Sequence, residues 1–187
     1  MKESTNIELI RDAVQTHNYA SFQEALDDMW LNVTEVSRLN DDDFAILKLL
    51  LKEALFLSFD GSWRLFWTLE QIWEFLTQSQ KIALLPIIET IYPRLKDQQA
   101  QFLISELLGE YFADDTAMKT ISRLRISAEV DDDGRALMAH ALQHLLKTRP
   151  AEPLKTNAWQ ELLRMCEDKV EVVREEAKLA LKISGTY

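Results

Sequence analysis

Apolar residues recur at every third or fourth position along almost the whole chain, and this spacing is the strongest constraint on the fold. It corresponds to one face of an α-helix, whereas a half-buried strand would alternate strictly between apolar and polar residues. Four glycines and four prolines are spread over 187 residues, so we expect few turns and long regular elements. The pattern predicts an all-α protein.

Helix start signals divide this pattern into segments. Thr5 to Glu8 and Ser21 to Glu24 fit the capping box, in which a hydroxyl and a carboxylate each satisfy a free backbone N–H. Asn157 to Gln160 and Asp168 to Glu171 are the amide and aspartate versions of this signal. The predicted helices cover residues 5–17, 21–39, 42–58, 62–77, 79–93, 97–113, 115–128, 133–148, 157–167 and 169–184.

The second helices of successive predicted pairs repeat along the sequence. The segments LEQIWEFL, LLGEYF, ALQHLL and ALKIS align so that Leu69, Leu107, Ala141 and Ala180 share one core position, with spacings of 38, 34 and 39 residues. Helix pairs of this length bury their apolar faces by stacking on their neighbours. The repeat predicts an array of antiparallel helix pairs.

Two segments resemble HEAT repeats. Residues 83–112 have a proline, Pro86, inside the first helix and the pair Leu108-Gly109 late in the second, and residues 159–184 have an acidic turn, then Val-Arg and a later Ala-Leu. The resemblance implies a short right-handed α-solenoid of about nine or ten helices that binds other macromolecules. One domain would cover residues 1–187, with capping helices over 1–40 and HEAT-like pairs over 41–187. Alternatively, Pro86 occupies the first turn of a helix.

The charge and composition limit the function. The chain has 31 acidic and 21 basic residues and a net charge of −10, which predicts no nucleic-acid binding and favours a basic protein partner, although acidity also maintains solubility. The most apolar run, from Phe44 to Phe59, contains Lys48, Lys52 and Glu53, so we expect no membrane span. With lone Cys166 and no secretory signal at the first residues, we expect a cytoplasmic location.

The segment EVDDDGRALMAHALQHLLK, residues 129–147, could be either a helix cap or a metal site. Aspartates before an apolar-periodic run accept the free N–H groups of a helix start, as at NDDDF, residues 40–44. Asp133 lies seven residues before His140, about 10.5 Å along a helix, so the two cannot share an ion. His140 and His144 alone supply two ligands where zinc sites usually have three or four. We therefore predict a cap, no metal and no cofactor.

We find no sequence signal for an enzyme and predict no catalytic residues. The sequence has no glycine-rich phosphate loop, no Gly-x-Ser-x-Gly elbow and no Cys-x-x-Cys pair. Cys166 follows apolar residues and precedes Glu167, whereas a nucleophilic thiol would need cationic neighbours.

Tryptophans indicate a binding surface. In GSWRLFWTLEQIWEFL, Trp63 and Trp67 lie away from the core stripe of Leu65, Phe66, Leu69, Ile72, Trp73 and Leu76. Either neighbouring helices bury both tryptophans, or they are exposed anchors among carboxylates. In the repeat register Trp67 aligns with Ser105, Ala139 and Lys178, and Gln71 with Gly109, Gln143 and Lys182, which predicts a groove with a small-residue floor. The predicted partner-binding residues are Trp63, Trp67, Glu70, Gln71, Glu74, Phe102, Glu106, Glu110 and His140.

Two hypotheses for the function follow. The first is a protein-binding module whose acidic, aromatic-lined face captures a basic partner. Its size, charge and predicted fold resemble those of immunity proteins, which occlude a cognate bacterial toxin. The second is a non-catalytic scaffold or adaptor of a protein complex. In both cases we expect a monomer or a weak homodimer.

Overall fold

The computed structural model describes residues 4–36, 39, 41–53, 56 and 58–185, and within these ranges it is helical without strands. The prediction of an all-α protein is confirmed. Within the described ranges there are ten α-helices: α1 Ser4–Gln15, α2 Tyr19–Val36, α3 Asp41–Lys52, α4 Trp63–Gln71, α5 Gln78–Ile91, α6 Gln98–Glu106, α7 Asp115–Ile126, α8 Asp132–Lys147, α9 Leu154–Met165 and α10 Glu171–Ser184.

The chain divides into two compact units, Met1–Ala100 and Gln101–Tyr187, and the boundary falls inside α6. Each unit is described by itself below. The prediction of one domain over residues 1–187 stays a prediction. No helix within the described residues is long and apolar enough to cross a membrane.

The first unit packs around aromatic rings. Helix α1 contacts α2, α2 contacts α4, and α3 contacts α5. Phe22 of α2 lies edge-on to Phe59, with ring centroids 5.1 Å apart, and Phe56 is tilted against Phe66 at 6.2 Å. Offset and edge-to-face ring pairs add to the free energy gained by burial. The predicted core stripe is confirmed, since all six of its residues are buried: Leu65, Phe66, Leu69, Ile72, Trp73 and Leu76.

Helix α8 is the central element of the second unit. It contacts α7, α9, α10 and the Leu107–Phe112 segment, a π-helical continuation of α6. A helix that is apolar on several faces is typical of a buried position, and the buried residues of α8 include Met138, Ala139, Leu142 and Leu145. The predicted helix over 97–113 is therefore α-helical only to Glu106 and then widens into a π-helix.

The aspartate run before α8 forms the predicted cap. The carboxylate of Asp131 accepts a hydrogen bond from the Gly134 N–H at 2.6 Å, and Asp132 and Asp133 occupy the first turn. Asp114 caps α7 in the same way, accepting from the Ala117 N–H at 2.8 Å. The corresponding prediction at Asn40 lies outside the described residues.

Other predicted start signals are wrong. Helix α2 begins at Tyr19, and the side chain of Asn18 accepts from the Ser21 N–H at 3.1 Å, so the chain is already helical where Ser21 was expected to cap it. Helix α9 begins at Leu154, which leaves the predicted cap Asn157 inside the helix. A full capping box that sequence analysis missed starts α5 at Thr77 and Gln80. Pro86 lies inside α5, as the HEAT resemblance implied.

We predict that Asp131→Ala destabilises the protein by about 1 kcal/mol, because the Gly134 N–H loses its acceptor. Asp131→Asn is the matched control, since an amide oxygen can cap the helix without the charge. We expect it to lower the free energy of unfolding by only about 0.3 kcal/mol. Urea unfolding followed by circular dichroism measures both variants. Equal losses for Ala and Asn would show that charge rather than the hydrogen bond stabilises this helix start.

Candidate functional site

The predicted binding residues of the first unit lie along α4 and the turn that follows it. Trp67 is 42% exposed, so the interpretation that it lies off the core is confirmed. Gln71 and Glu74 are exposed, and Trp63 and Glu70 are half-buried. The guanidinium of Arg64 lies over the Trp63 ring, 4.8 Å from its centroid. Whether these residues bind a partner stays a prediction.

An acidic groove beside α4 was not predicted. Helix α2 contacts α4, and together they line an open groove of about 580 Å³. Glu24, Asp27 and Asp28 are exposed along α2, and Arg64 of α4 hydrogen-bonds to Gln23. At one end Tyr19 is 43% exposed while its ring stacks on Phe59 at 4.9 Å. A signal was present in the sequence, because Glu24, Asp27 and Asp28 have the spacing of one helix face.

In the second unit the structure brings four predicted residues together. Phe102 and Glu106 lie on α6, Glu110 on the π-helical segment and His140 on α8. The ring of His140 stacks on Phe102, with centroids 4.7 Å apart, and Phe102 is 39% exposed. Their role toward a partner stays a prediction. A fifth residue, His144, joins them.

The imidazoles of this cluster lie close to two carboxylates, at distances slightly longer than hydrogen bonds. His140 Nε2 is 3.7 Å and His144 Nε2 is 3.6 Å from the same oxygen, Glu106 Oε1. On the other edge of its ring, His144 Nδ1 lies 3.5 Å from Glu110 Oε2. Lys147 donates to the second oxygen of Glu110 at 2.6 Å and so fixes that carboxylate.

We expected no third ligand near His140 and His144, and this expectation is wrong. Glu106 supplies a third candidate group: one nitrogen or oxygen atom from each of Glu106, His140 and His144 lies within 4.8 Å of the other two. On α8 itself the other acidic candidate, Asp133, is too distant from His140. The third group comes from a neighbouring helix.

Burial controls the electrostatics of the cluster. Burial, with the neighbouring His144, lowers the pKa of His140 to about 4, although the charge of Glu110 opposes the shift. Burial also lowers the pKa of His144, again against the charge of Glu110. The hydrogen bond from Lys147 lowers the pKa of Glu110. Near neutral pH the cluster therefore holds neutral imidazoles beside at least one ionised carboxylate.

Gly109 allows the two helical segments to approach this closely. A Cβ atom at this position would lie 2.1 Å from the carbonyl oxygen of Ala141 and 2.7 Å from Cβ of His144. Only a residue without a side chain fits there. The glycine of the Leu-Gly pair thus allows the Glu106 and Glu110 carboxylates to reach the imidazoles.

The predicted small-residue floor of a groove is wrong. Ser105 and Ala139 are fully buried, and Gly109 is buried as well. These small residues are part of the interior of the second unit. The repeat register identified small positions correctly, but they do not line an open groove.

The second unit also has a groove with basic residues that sequence analysis missed. Helices α7 and α9 line an open space of about 340 Å³ with Lys119, Arg123 and Arg164. The carboxylate of Glu161, only 2% exposed, also lines this space and pairs with Arg164 at 2.9 Å and with Arg125. Lys119 and Arg123 are four residues apart on α7, so part of this signal was present in the sequence, and α9 adds Arg164.

The thiol of Cys166 is half-buried, and burial raises its pKa.

Comparison of the chain with protein-family models, with curated proteins and with solved structures finds no match.

We predict that Gly109→Ala lowers the free energy of unfolding by roughly 1–3 kcal/mol, as overpacking does. Alanine is the better helix former by about 1 kcal/mol, so without the clash the same change would stabilise the protein. Urea unfolding therefore tests the sign as well as the size of the effect.

Gly185→Ala is the matched control. Gly185 has ordinary helical backbone angles, and an added Cβ would lie 3.4 Å from its nearest neighbour, the Leu181 oxygen. We expect a change within about 0.5 kcal/mol. A neutral or stabilising Gly109→Ala would mean that the two segments can move apart without cost.

Proposed function

We propose that the protein is a non-catalytic protein-binding module that holds a basic segment of a partner in the acidic groove of its first unit. The observation that carries the proposal is the placement of three exposed carboxylates, Glu24, Asp27 and Asp28, along a groove that also contains the exposed ring of Tyr19. A lysine- or arginine-rich segment would pair with the carboxylates and lay its stems against the ring.

The exposed tryptophan extends this surface. Trp67 follows Arg64 by three residues on α4, and side chains with this spacing are neighbours on a helix. Arg64 lines the groove, so Trp67 lies one turn beyond the lining of the groove. An exposed aromatic residue next to charged groups is typical of the few positions that contribute most of the binding energy of an interface.

Within this class we propose an immunity protein, a cytoplasmic inhibitor that covers the active or substrate-binding surface of a cognate toxin. The net charge of −10 supports electrostatic steering of a basic partner and disfavours a nucleic acid as ligand. As further parts of the proposal, the helix pairs form a HEAT-like α-solenoid and the protein is a monomer or a weak homodimer.

Affinity capture from the native host, followed by mass spectrometry, identifies the partner. A secreted toxin encoded beside this chain supports the immunity role. Capture of the subunits of a stable complex instead would contradict immunity and assign the chain to the scaffold class.

We predict that neutralising the groove with Glu24→Gln, Asp27→Asn and Asp28→Asn slows association with the captured partner and reduces its salt dependence. Groove charges act over about 8 Å at physiological ionic strength, so their loss should lower the association rate more than it raises the dissociation rate. Stopped-flow or surface-plasmon measurements at several salt concentrations provide both rates.

A second triple variant has the same net charge but changes the second unit: Glu167→Gln, Glu171→Gln and Glu176→Gln, all at exposed positions. If the two triple variants slow association equally, overall charge rather than the groove steers the partner, and the proposed site is wrong.

We predict that Trp67→Ala weakens partner binding by roughly 2 kcal/mol or more and hardly changes the melting temperature. Trp73→Ala is the internal contrast, because Trp73 is only 4% exposed. Emptying a buried tryptophan site typically costs about 3–5 kcal/mol of stability. Thermal melts compare the two variants before a partner is known, and a similar drop for both would show that Trp67 supports the core.

A further inference from the structure

We propose that Glu106, His140 and His144 bind one divalent transition-metal ion, with zinc as the best match, in the second unit. This site is separate from the acidic groove of the first unit and does not rest on the proposed protein-binding function. It joins α8 to α6, and α7 lies between these two helices in the sequence.

The geometry of the three side chains is that of ligands around a common centre. Two atoms that are each about 2.1 Å from a tetrahedral ion lie about 3.4 Å apart. The two Nε2 atoms lie 3.7 and 3.6 Å from Glu106 Oε1, within a few tenths of an ångström of that spacing, and the three ligand atoms all lie within 4.8 Å of one another. Hydrogen bonds would instead require about 2.9 Å.

The imidazoles support the same conclusion. The Nε2 of His140, which lies on the side of the proposed ion, is buried without a hydrogen-bond partner among the described residues. A buried nitrogen normally has a partner, and an unsatisfied one needs a specific explanation.

Glu110 and Lys147 lie next to the three proposed ligands and position them without binding the ion. In metal sites a histidine that binds through one nitrogen commonly donates its other N–H to a carboxylate, which fixes the ring. His144 is oriented for this arrangement, because Nε2 is the nitrogen near Glu106 while Nδ1 faces Glu110 at 3.5 Å, a distance that must shorten before the N–H can donate. Lys147 holds Glu110 at 2.6 Å. Glu110 is therefore a positioning residue rather than a ligand.

The donor set selects the kind of ion. Two imidazoles and one carboxylate suit zinc, nickel, copper or iron, whereas calcium and magnesium prefer oxygen ligands only. Three protein ligands leave one tetrahedral position for water or for a side chain of another molecule.

The test uses the full chain, stripped of metal by a chelator and titrated with Zn²⁺ by calorimetry and with Co²⁺ by visible spectroscopy. We expect one strong site, a higher melting temperature with Zn²⁺, and the intense visible bands of low-coordinate Co²⁺. Glu106→Gln and His140→Ala should each weaken Zn²⁺ binding at least about 100-fold. Loss of an outer-shell partner costs up to about 100-fold in metal affinity, and loss of a direct ligand should cost at least as much.

Glu110→Gln should weaken Zn²⁺ binding about 10- to 100-fold while the Co²⁺ spectrum keeps its shape, since all three ligands remain. Loss or change of that spectrum would make Glu110 a ligand and overturn the assignment of three. Circular dichroism checks the folding of each variant, and His140→Ala tests the site if Glu106→Gln is unfolded.

Two controls remove the same chemical groups elsewhere. His17→Asn removes an imidazole from a turn whose positive φ of 51° asparagine tolerates, and Glu167→Gln neutralises an exposed carboxylate. Both should bind Zn²⁺ as the parent does. The proposal fails if the parent shows only weak binding at several sites, or if the controls lose as much affinity as Glu106→Gln and His140→Ala.

Discussion

The contact between Gly109 and the backbone of Ala141 is the constraint on which the second unit depends. A Cβ atom at residue 109 would lie 2.1 Å from a carbonyl oxygen that cannot move without disturbing α8. Helix α8 in turn contacts α7, α9 and α10, so its position influences the packing of each of them. The π-helical turn through Leu107–Phe112 widens the segment at this contact, and such turns are frequent at functional positions in helices.

That close approach also determines the chemistry of the cluster. It brings two carboxylates to two imidazoles that would otherwise be isolated on α8, at distances of 3.5–3.7 Å. Burying unsatisfied ring nitrogens carries a free-energy cost of roughly 1–3 kcal/mol per group. A cost of this size is a substantial part of the stability of a small domain. Without a compensating interaction, the cluster would therefore lower the stability of the second unit considerably. A bound cation would offset part of this cost by giving the buried Nε2 of His140 a partner.

Local patterns in the sequence correctly predicted those features of the fold that depend on residues close together in the chain. The apolar spacing of Leu65 to Leu76 identified the buried stripe of α4, and the aspartate run identified the start of α8. Capping signals failed at Ser21 and Asn157, because a hydroxyl or amide in the first turn of a helix can resemble a cap in the sequence. Contacts between residues far apart in the sequence were harder to predict, since Glu106, the third group near His140 and His144, lies 34 residues before His140. The register that aligned Leu107 with Ala141 also aligns Glu106 with His140 and Glu110 with His144. The sequence therefore contained a signal for this cluster, although the register was used only to predict the groove on the face opposite the core.

Carboxylates serve different purposes in the two units because their solvent exposure differs. Glu24, Asp27 and Asp28 are exposed to water, where a charge acts at long range, is screened by salt and contributes little through any single contact. Glu106 and Glu110 are half-buried beside neutral imidazoles and an ammonium group, where direction and distance matter more than net charge. The groove should therefore respond to ionic strength and the cluster to chelators. Loss of partner binding on chelation would contradict the independence of the groove from the cluster, and unchanged binding would support it.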